Sequence, residues 1–253
     1  MSKVLVLPDI HGRLFWNEPC EDISGYDKVV FVGDYLDPYG FEEITEESAM
    51  DNLREIIELK KQHLEKVVLL LGNHDLPYYS LEYRELSHYH SRYSCRHHAE
   101  MERIFADNAD LFTLAYHQDN ILFTHAGVLR GWYVETLGGK DDDSLDVICN
   151  KINRLLQNPD NLYVAGPYRG GWDPYSSCVW DDVHEMMDQE EHTKADENPT
   201  SLMTIRQIFG HTLQVKHGID GNYEFDEPVL GEYFMMLDNG RAYTVDTEKF
   251  VLV

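Results

Sequence analysis

The sequence is short of positive charge. Among 253 residues, 21 are lysine or arginine and 46 are aspartate or glutamate, a formal charge of -25 at pH 7. A surface this negative disfavours a nucleic-acid partner, because attraction to phosphate supplies most of that affinity. It also repels anionic substrates, unless bound cations reverse the field locally. Long apolar runs are missing as well. None approaches the roughly 18–20 residues of a membrane span, so no membrane partner is expected. The opening "MSKVLVLPDI" stops its apolar run at Pro8, too soon for a secretory signal, and reads as a first strand. Cysteine is scarce. With no secretory signal a cytoplasmic location is the expectation, and Cys20, Cys95, Cys149 and Cys178, which form no C-x-x-C pair, are then expected as free thiols.

What is present describes an ordered protein. Hydrophobic residues make up 43% and aromatics 12%, and the length suits one domain over 1–253. "KVLVL" (3–7), "KVVFVG" (28–33) and "KVVLLLG" (66–72) are apolar without alternation, as strands of a sheet buried on both faces are. Between the last two, residues 45–64 carry helical apolar spacing at Ala49, Leu53, Ile56, Ile57 and Leu64, with Thr45 as N-cap. Further helices are predicted over 97–109 and over 144–157, the latter capped by Ser144. A hairpin is predicted to turn at Gln118-Asp119-Asn120, and a strand over 204–210. Two last strands, "EYFMMLD" and "RAYTVDT", are expected to form a hairpin through Asp238-Asn239-Gly240. Residues 78–98 are rich in His, Tyr and Arg, and 159–200 reads as an irregular loop or lid. The order of elements predicts a layered α/β domain.

Each apolar strand ends in residues that bind metals. The first gives Asp9 and His11 ("PDIHG"), the second Asp34 and Asp37 ("GDYLD"), the third Asn73, His74 and Asp75 ("GNHD"). Later strands give His125 ("FTHAG") and His211 ("FGHT"). Any one of these is an ordinary turn. Five in succession, most with a glycine beside them, are not explained by turn chemistry. Ligands of open α/β sheets bind outside the carboxyl ends of strands. Carboxylate, imidazole and amide oxygens suit manganese, iron(II) or zinc, and these are enough for two ions. The natural partition has Asp34 shared. Asp9 and His11 complete the first set, and Asn73, His125 and His211 the second. Two ions roughly 3.5–4 Å apart can clamp a phosphoryl group during in-line displacement.

"DIHG", "GDYLD", "GNHD", "THAG" and "GHT" together resemble the signature of calcineurin-like metallophosphoesterases, and "GDY-x-D" resembles the phosphoprotein-phosphatase branch, prokaryotic in type. The resemblance implies a four-layered α/β/β/α sandwich and a dinuclear centre, with Mn(II) foremost and Fe or Zn as alternatives. It implies hydrolysis of a phosphate monoester by a hydroxide bridging the ions. Asp9, His11, Asp34, Asn73, His125 and His211 would be the ligands, His74 the general acid and Asp37 its orienting partner. A carboxylate beside that imidazole is expected to keep it protonated.

Departures from the family pattern bear on substrate. The branch carries arginines where this sequence has Pro38 and Leu71. Arg92 and Arg96 in "SRYSCRHH" and Arg169 in "YRGGW" are the candidate replacements for gripping phosphate. Trp180 in "CVWDD" resembles the tryptophan loop flanking the site in that branch. The substrate expected is phosphorylated, either a protein or a small ester. The alternatives are a dinucleoside polyphosphate or phosphodiester, whose base could stack near Tyr78, Tyr79 and Trp172, and a non-catalytic binding platform.

Overall fold

The computed structural model describes residues 2–87, 92–217 and 223–253, so residues 88–91 of the His-, Tyr- and Arg-rich segment lie outside the described residues. The three apolar runs become β1 (Lys3–Leu7), β2 (Lys28–Phe31) and β3 (Val67–Leu70), paired in parallel. With β4 (Phe112–Thr113), β12 (Tyr243–Asp246) and β13 (Val251–Leu252) they form a six-stranded sheet, in the order β13-β12-β1-β2-β3-β4. A five-stranded sheet has the order β10-β11-β7-β6-β5. It uses β5 (Ala115–Gln118), β6 (Ile121–Thr124), β7 (Arg206–Phe209), β10 (Val229–Leu230) and β11 (Phe234–Met236). A separate ribbon pairs β8 (Val215–His217) with β9 (Tyr223–Phe225).

Continuous apolar runs suit these strands because each has two dry faces. From the six-stranded sheet, Val4, Val6, Val30, Val32 and Leu70 meet Ile121, Phe123, Ile208, Met235 and Leu237 of the other sheet in one buried cluster. The alternate residues Leu5, Leu7, Val29, Phe31, Val67 and Leu69 join the helix residues in a second cluster. The helices are α1 (Asn17–Cys20), α2 (Glu46–Gln62), α3 (Leu76–Tyr79), α4 (Leu81–Ser87), α5 (His98–Ala106), α6 (Leu145–Asn153) and α7 (Val183–Ala195). α2 packs by β3 and α6 by β5, which gives the four-layered α/β/β/α order. Thr45 caps α2 as its sequence implied: the Ser48 N–H donates to Thr45 Oγ1 at 3.1 Å, and the Thr45 N–H to Ser48 Oγ at 3.1 Å. Leu53 on its inner face is fully buried, and Leu53→Ala would cost about 2–5 kcal/mol.

Three expectations are corrected. "EYFMMLD" and "RAYTVDT" do not form a hairpin: β11 lies in the five-stranded sheet and β12 in the six-stranded one. Asp238-Asn239-Gly240 does turn, with φ of +69° at Gly240, but it carries the chain from one sheet to the other. Both of its polar side chains are fully buried. The run before the β5–β6 hairpin also divides, since Phe112–Thr113 pairs with β3 and Ala115–Gln118 with β6. The segment 159–200 is not irregular throughout. Its acidic composition hid α7, which buries Val183, Met186 and Thr193 behind a charged outer face. Among the described residues, no helix is long and apolar enough to cross a membrane.

Candidate metal centre

Parallel pairing sets the carboxyl ends of β1, β2 and β3 at one edge, and those of β6 and β7 at one edge of the second sheet. The ligand-type residues hang from these ends. Backbone bonds join the loops: the His11 N–H donates to Asp34 O at 2.6 Å and the Gly210 N–H to His125 O at 2.8 Å. The chain takes unusual conformations here. Of six non-glycine residues with positive φ among those described, four are His11, Asp34, Asp37 and His211. Each costs on the order of 1–3 kcal/mol and persists where surroundings impose it. Glycine supplies room at two contacts. A Cβ on Gly72 would collide with Asp34 Oδ1, and one on Gly210 with Asp9 Oδ1.

Asp34 occupies the centre. Its Oδ1 accepts from the His74 N–H at 2.9 Å, which turns Oδ2 to the histidines. That one atom lies 3.4 Å from His11 Nε2 and 3.5 Å from His125 Nε2. Two buried triads share it, Asp9–His11–Asp34 and Asp34–His125–His211, with ligand atoms within 4.8 Å of one another in each. Asn73 Oδ1 lies 3.0 Å from His125 Nε2, and His211 Nδ1 lies 3.1 Å from it.

The histidine tautomers follow from their second nitrogens. His11 Nδ1 lies 2.7 Å from Leu36 O, and His125 Nδ1 lies 3.0 Å from Val32 O. Each must donate there, so each Nε2 presents a lone pair to the centre. At His125 that lone pair faces the carbonyl oxygen of Asn73, and two acceptors in such contact call for a cation between them. Asp9 Oδ2 is buried and has no hydrogen-bond partner among the described residues, as an oxygen suited to hold a cation would. Burial holds His11 and His211 well below the usual imidazole range, as neutral ligands should be. Burial, with Asp9 close by, pushes Asp34 up to about 7 despite the opposing influence of His74. A divalent cation would relieve that crowding. The residues present fit two ions.

His74 stands beside this centre, its ring 5.2 Å from that of His11. Its Nδ1 lies 2.9 Å from Asp37 Oδ2, while Tyr78 Oη donates to Asp37 Oδ1 at 2.6 Å. Burial pushes His74 down to about 4 and Asp37 up to about 7.

The arginines divide. Arg92 reaches the centre, donating to Asp37 O through Nε at 3.0 Å and Nη2 at 2.9 Å, with Nη2 3.4 Å from both ring nitrogens of His11. Arg169 packs on the His211 loop: Nη2 donates to Thr212 Oγ1 at 2.8 Å, and Nε lies 3.0 Å from Asp182 Oδ2. Arg96 is exposed, and its charge faces Glu47 near the start of α2. Trp180 donates to Tyr83 Oη at 2.6 Å and meets the His211 ring edge-on, the ring centroids 5.9 Å apart. Of the expected stacking residues, Tyr78 is buried on Asp37 and Tyr79 packs on Phe105, while Trp172 is 98% exposed.

Two residues escaped assignment. Asp75, in the quoted "GNHD", is fully buried and accepts from the N–H groups of Asp34 (2.7 Å), Tyr35 (2.9 Å) and Gly72 (2.9 Å). Asp238 was read only as a turn residue. It is fully buried, 3.9 Å from Arg13 Nη1, and pushed well above the carboxylate range by burial and by Asp9.

Two buried carboxylate–histidine groups able to hold metal lie at the strand ends of an α/β/β/α sandwich. A family model described as calcineurin-like phosphoesterase matches residues 2–214, and the chain belongs to that family. Among solved structures, a protein serine/threonine phosphatase from Saccharomyces cerevisiae, with similarity to human phosphatase PP5, is similar at a TM-score of 0.50 and 14% identity. That match covers 96% of this chain and 72% of that one. A "putative diadenosine tetraphosphatase" gives a TM-score of 0.47 at 14% identity over 100% of this chain and 92% of that one. No curated protein matches the sequence. The chain is a phosphoesterase, a hydrolase with Asp and His groups able to bind metal.

Proposed function

We propose that the chain is a dimetal phosphomonoesterase whose ions are held by Asp9, His11, Asp34, Asn73, His125 and His211. The observation that carries this reading is Asp34 Oδ2 lying between His11 and His125, one member of each triad. The ions, when bound, supply a nucleophile from water at neutral pH and neutralise charge on the phosphoryl group. Mn(II) suits this mixed oxygen and nitrogen set, with Fe or Zn as alternatives.

The chain's own residues do the rest. His74 gives a proton from Nε2 to the leaving oxygen, since Nδ1 is engaged by Asp37. A phosphate dianion at Nε2 favours the imidazolium, and Asp37, held by Tyr78, becomes the carboxylate that stabilises it. Arg92 grips a phosphate oxygen from the His11 side, and Arg169 lines the His211 side. All of 1–253 serves as one catalytic unit, with 159–200 as one wall of the site. Four free cysteines, three of them buried, support a reducing compartment such as the cytoplasm.

The test is Mn(II)-dependent release of phosphate from a monoester, together with the metal content of the protein. Two ions per chain and activity lost in His74→Asn with both ions retained are expected. Two ions without turnover of any phosphate ester would sink the reading.

A further inference from the structure

The first ligand segment, Asp9-Ile10-His11-Gly12, ends at Arg13, a buried arginine whose guanidinium turns back toward it. Arg13 Nη1 donates to Asp9 O at 3.2 Å. Its Nε and Nη2 donate to Glu42 Oε1 at 2.7 Å and to Oε2 at 3.1 Å. Glu42 belongs to the loop after β2, the loop that carries Asp34 and Asp37. One guanidinium therefore joins the two segments that supply the Asp9–His11–Asp34 triad. We propose that Arg13 is a positioning residue for the first ion: it sets Asp9 against Asp34 and so governs affinity for that ion without touching it. The inference rests on the dimetal reading and adds to it a residue outside the ligand pattern.

Asp9 is held at two points. Its Oδ1 accepts the His211 N–H at 2.9 Å, and its main-chain oxygen accepts Arg13 Nη1. Oδ2 is left for a cation. The His211 bond ties Asp9 to the second set of ligands. The Arg13 bond, continued through Glu42, ties it to the loop of Asp34. Among the described residues, Arg13 has no hydrogen bond or ion pair with Asn73, His125 or His211, so its loss bears on the first set.

The arginine is itself fixed. Its main-chain oxygen accepts Asn52 Nδ2 at 3.0 Å, and Asn52 Oδ1 accepts Trp16 Nε1 at 2.8 Å. Tyr39 and Phe225 hold the guanidinium by ring contacts of 5.3 and 5.2 Å. A positive charge next to a site for cations needs a reason to be there. Left unpaired, it would weaken the binding of any ion nearby. Glu42 cancels the charge through two parallel bonds. What remains is shape: a rigid planar fork that reaches Asp9 O and Glu42 at once. Lysine offers a single nitrogen at this place and cannot span both.

The experiment titrates Mn(II) into the ion-free parent, Arg13→Lys, Arg13→Met and Glu42→Gln, reading free Mn(II) from its electron-spin signal. Thermal melts of the same proteins report stability separately. Asp9→Asn identifies the binding step that belongs to the first ion. In both Arg13 variants that step alone is expected to weaken, by about 10–100-fold, the range for outer partners of metal ligands. Glu42→Gln, at a residue bonded to no ligand, should weaken the same step by about tenfold. Parental affinity in Arg13→Lys would overturn the proposal, since charge without the fork would then suffice. Equal weakening of both steps in proportion to Tm would also overturn it, leaving Arg13 a clamp of the fold. If Arg13→Met does not fold, Arg13→Lys and Glu42→Gln decide. A parent that binds fewer than two ions overturns the dimetal reading and the proposal together. A parent that binds two, with variants unchanged, overturns the proposal alone.

Discussion

The Asp75 carboxylate, forty-one residues from Asp34 in sequence, accepts the backbone N–H of Asp34 at 2.7 Å. With the bonds from Tyr35 and Gly72 it fixes the β2 and β3 loops against each other. The Asp34 carboxylate, common to both triads, is aimed by this buried acid.

Asp75→Asn should therefore impair the centre without removing a ligand. An amide nitrogen turned toward backbone donors leaves at least one of them unsatisfied, at about 1–3 kcal/mol. Metal affinity is expected to fall about 10–100-fold, as for other outer partners of ligands. Titration of the ion-free variant with Mn(II) checks this, and affinity equal to the parent's would refute it.

Asp34→Asn should have a different signature. The single oxygen facing both histidines loses its charge, so neither ion is held as before. Elemental analysis is expected to give fewer than two ions per chain. His74→Asn should keep both and lower kcat by about 10²–10⁴-fold, the range for loss of a general acid.

The arginines can be ranked. Arg92→Ala removes a guanidinium bonded beside His11 and should raise KM for any phosphate ester by roughly tenfold, the size of one charge-assisted contact. Arg96→Ala, far from these contacts, should leave KM within about twofold. Steady-state kinetics separates them, and the reverse ranking would move the phosphate to another wall.

The pH dependence of the ion-free protein follows from its buried acids. Burial keeps His11, His74 and His211 neutral in the folded chain, and in the unfolded chain their protons are largely lost above about pH 7, so their opposing contribution fades there. Asp34 and Asp37, pushed up to about 7 by burial, still hold protons that the unfolded chain has released. Their raised values favour folding at low pH, and that advantage is lost as pH rises through about 7. Stability should fall across this window by about 1.4 kcal/mol per pH unit for each group still protonated. Thermal melts from about pH 7 to 8.5 should show Tm falling, and saturating Mn(II) should flatten the trend. A rise in Tm without ions would contradict the assignment.

The sequence disclosed the centre well because strand ends and ligand chemistry coincide in it. The "DIHG", "GDYLD", "GNHD", "THAG" and "GHT" residues all converge. What it concealed depends on contacts between distant segments. Asp75 and Asp238 look like turn formers, and only their burial among other acids gives them roles. Phe41 and Tyr223 are far apart in the chain, and no local pattern joins them. The tail was misread because a DNG turn has the same chemistry whether it returns to its own sheet or crosses to another. α7 was missed because its buried stripe is narrow and its surface acidic.

The pairing of β12 with β1, Lys3 opposite Asp246, has a consequence for biosynthesis. β1 carries Asp9 and His11 at its end, yet one of its edges stays open until residues 243–246 leave the ribosome. The strand that carries Asp9 and His11 is thus held on one side by a strand from the far end of the described chain. A chain cut short before Tyr243 should still hold the ligand-bearing loops but fail to load them.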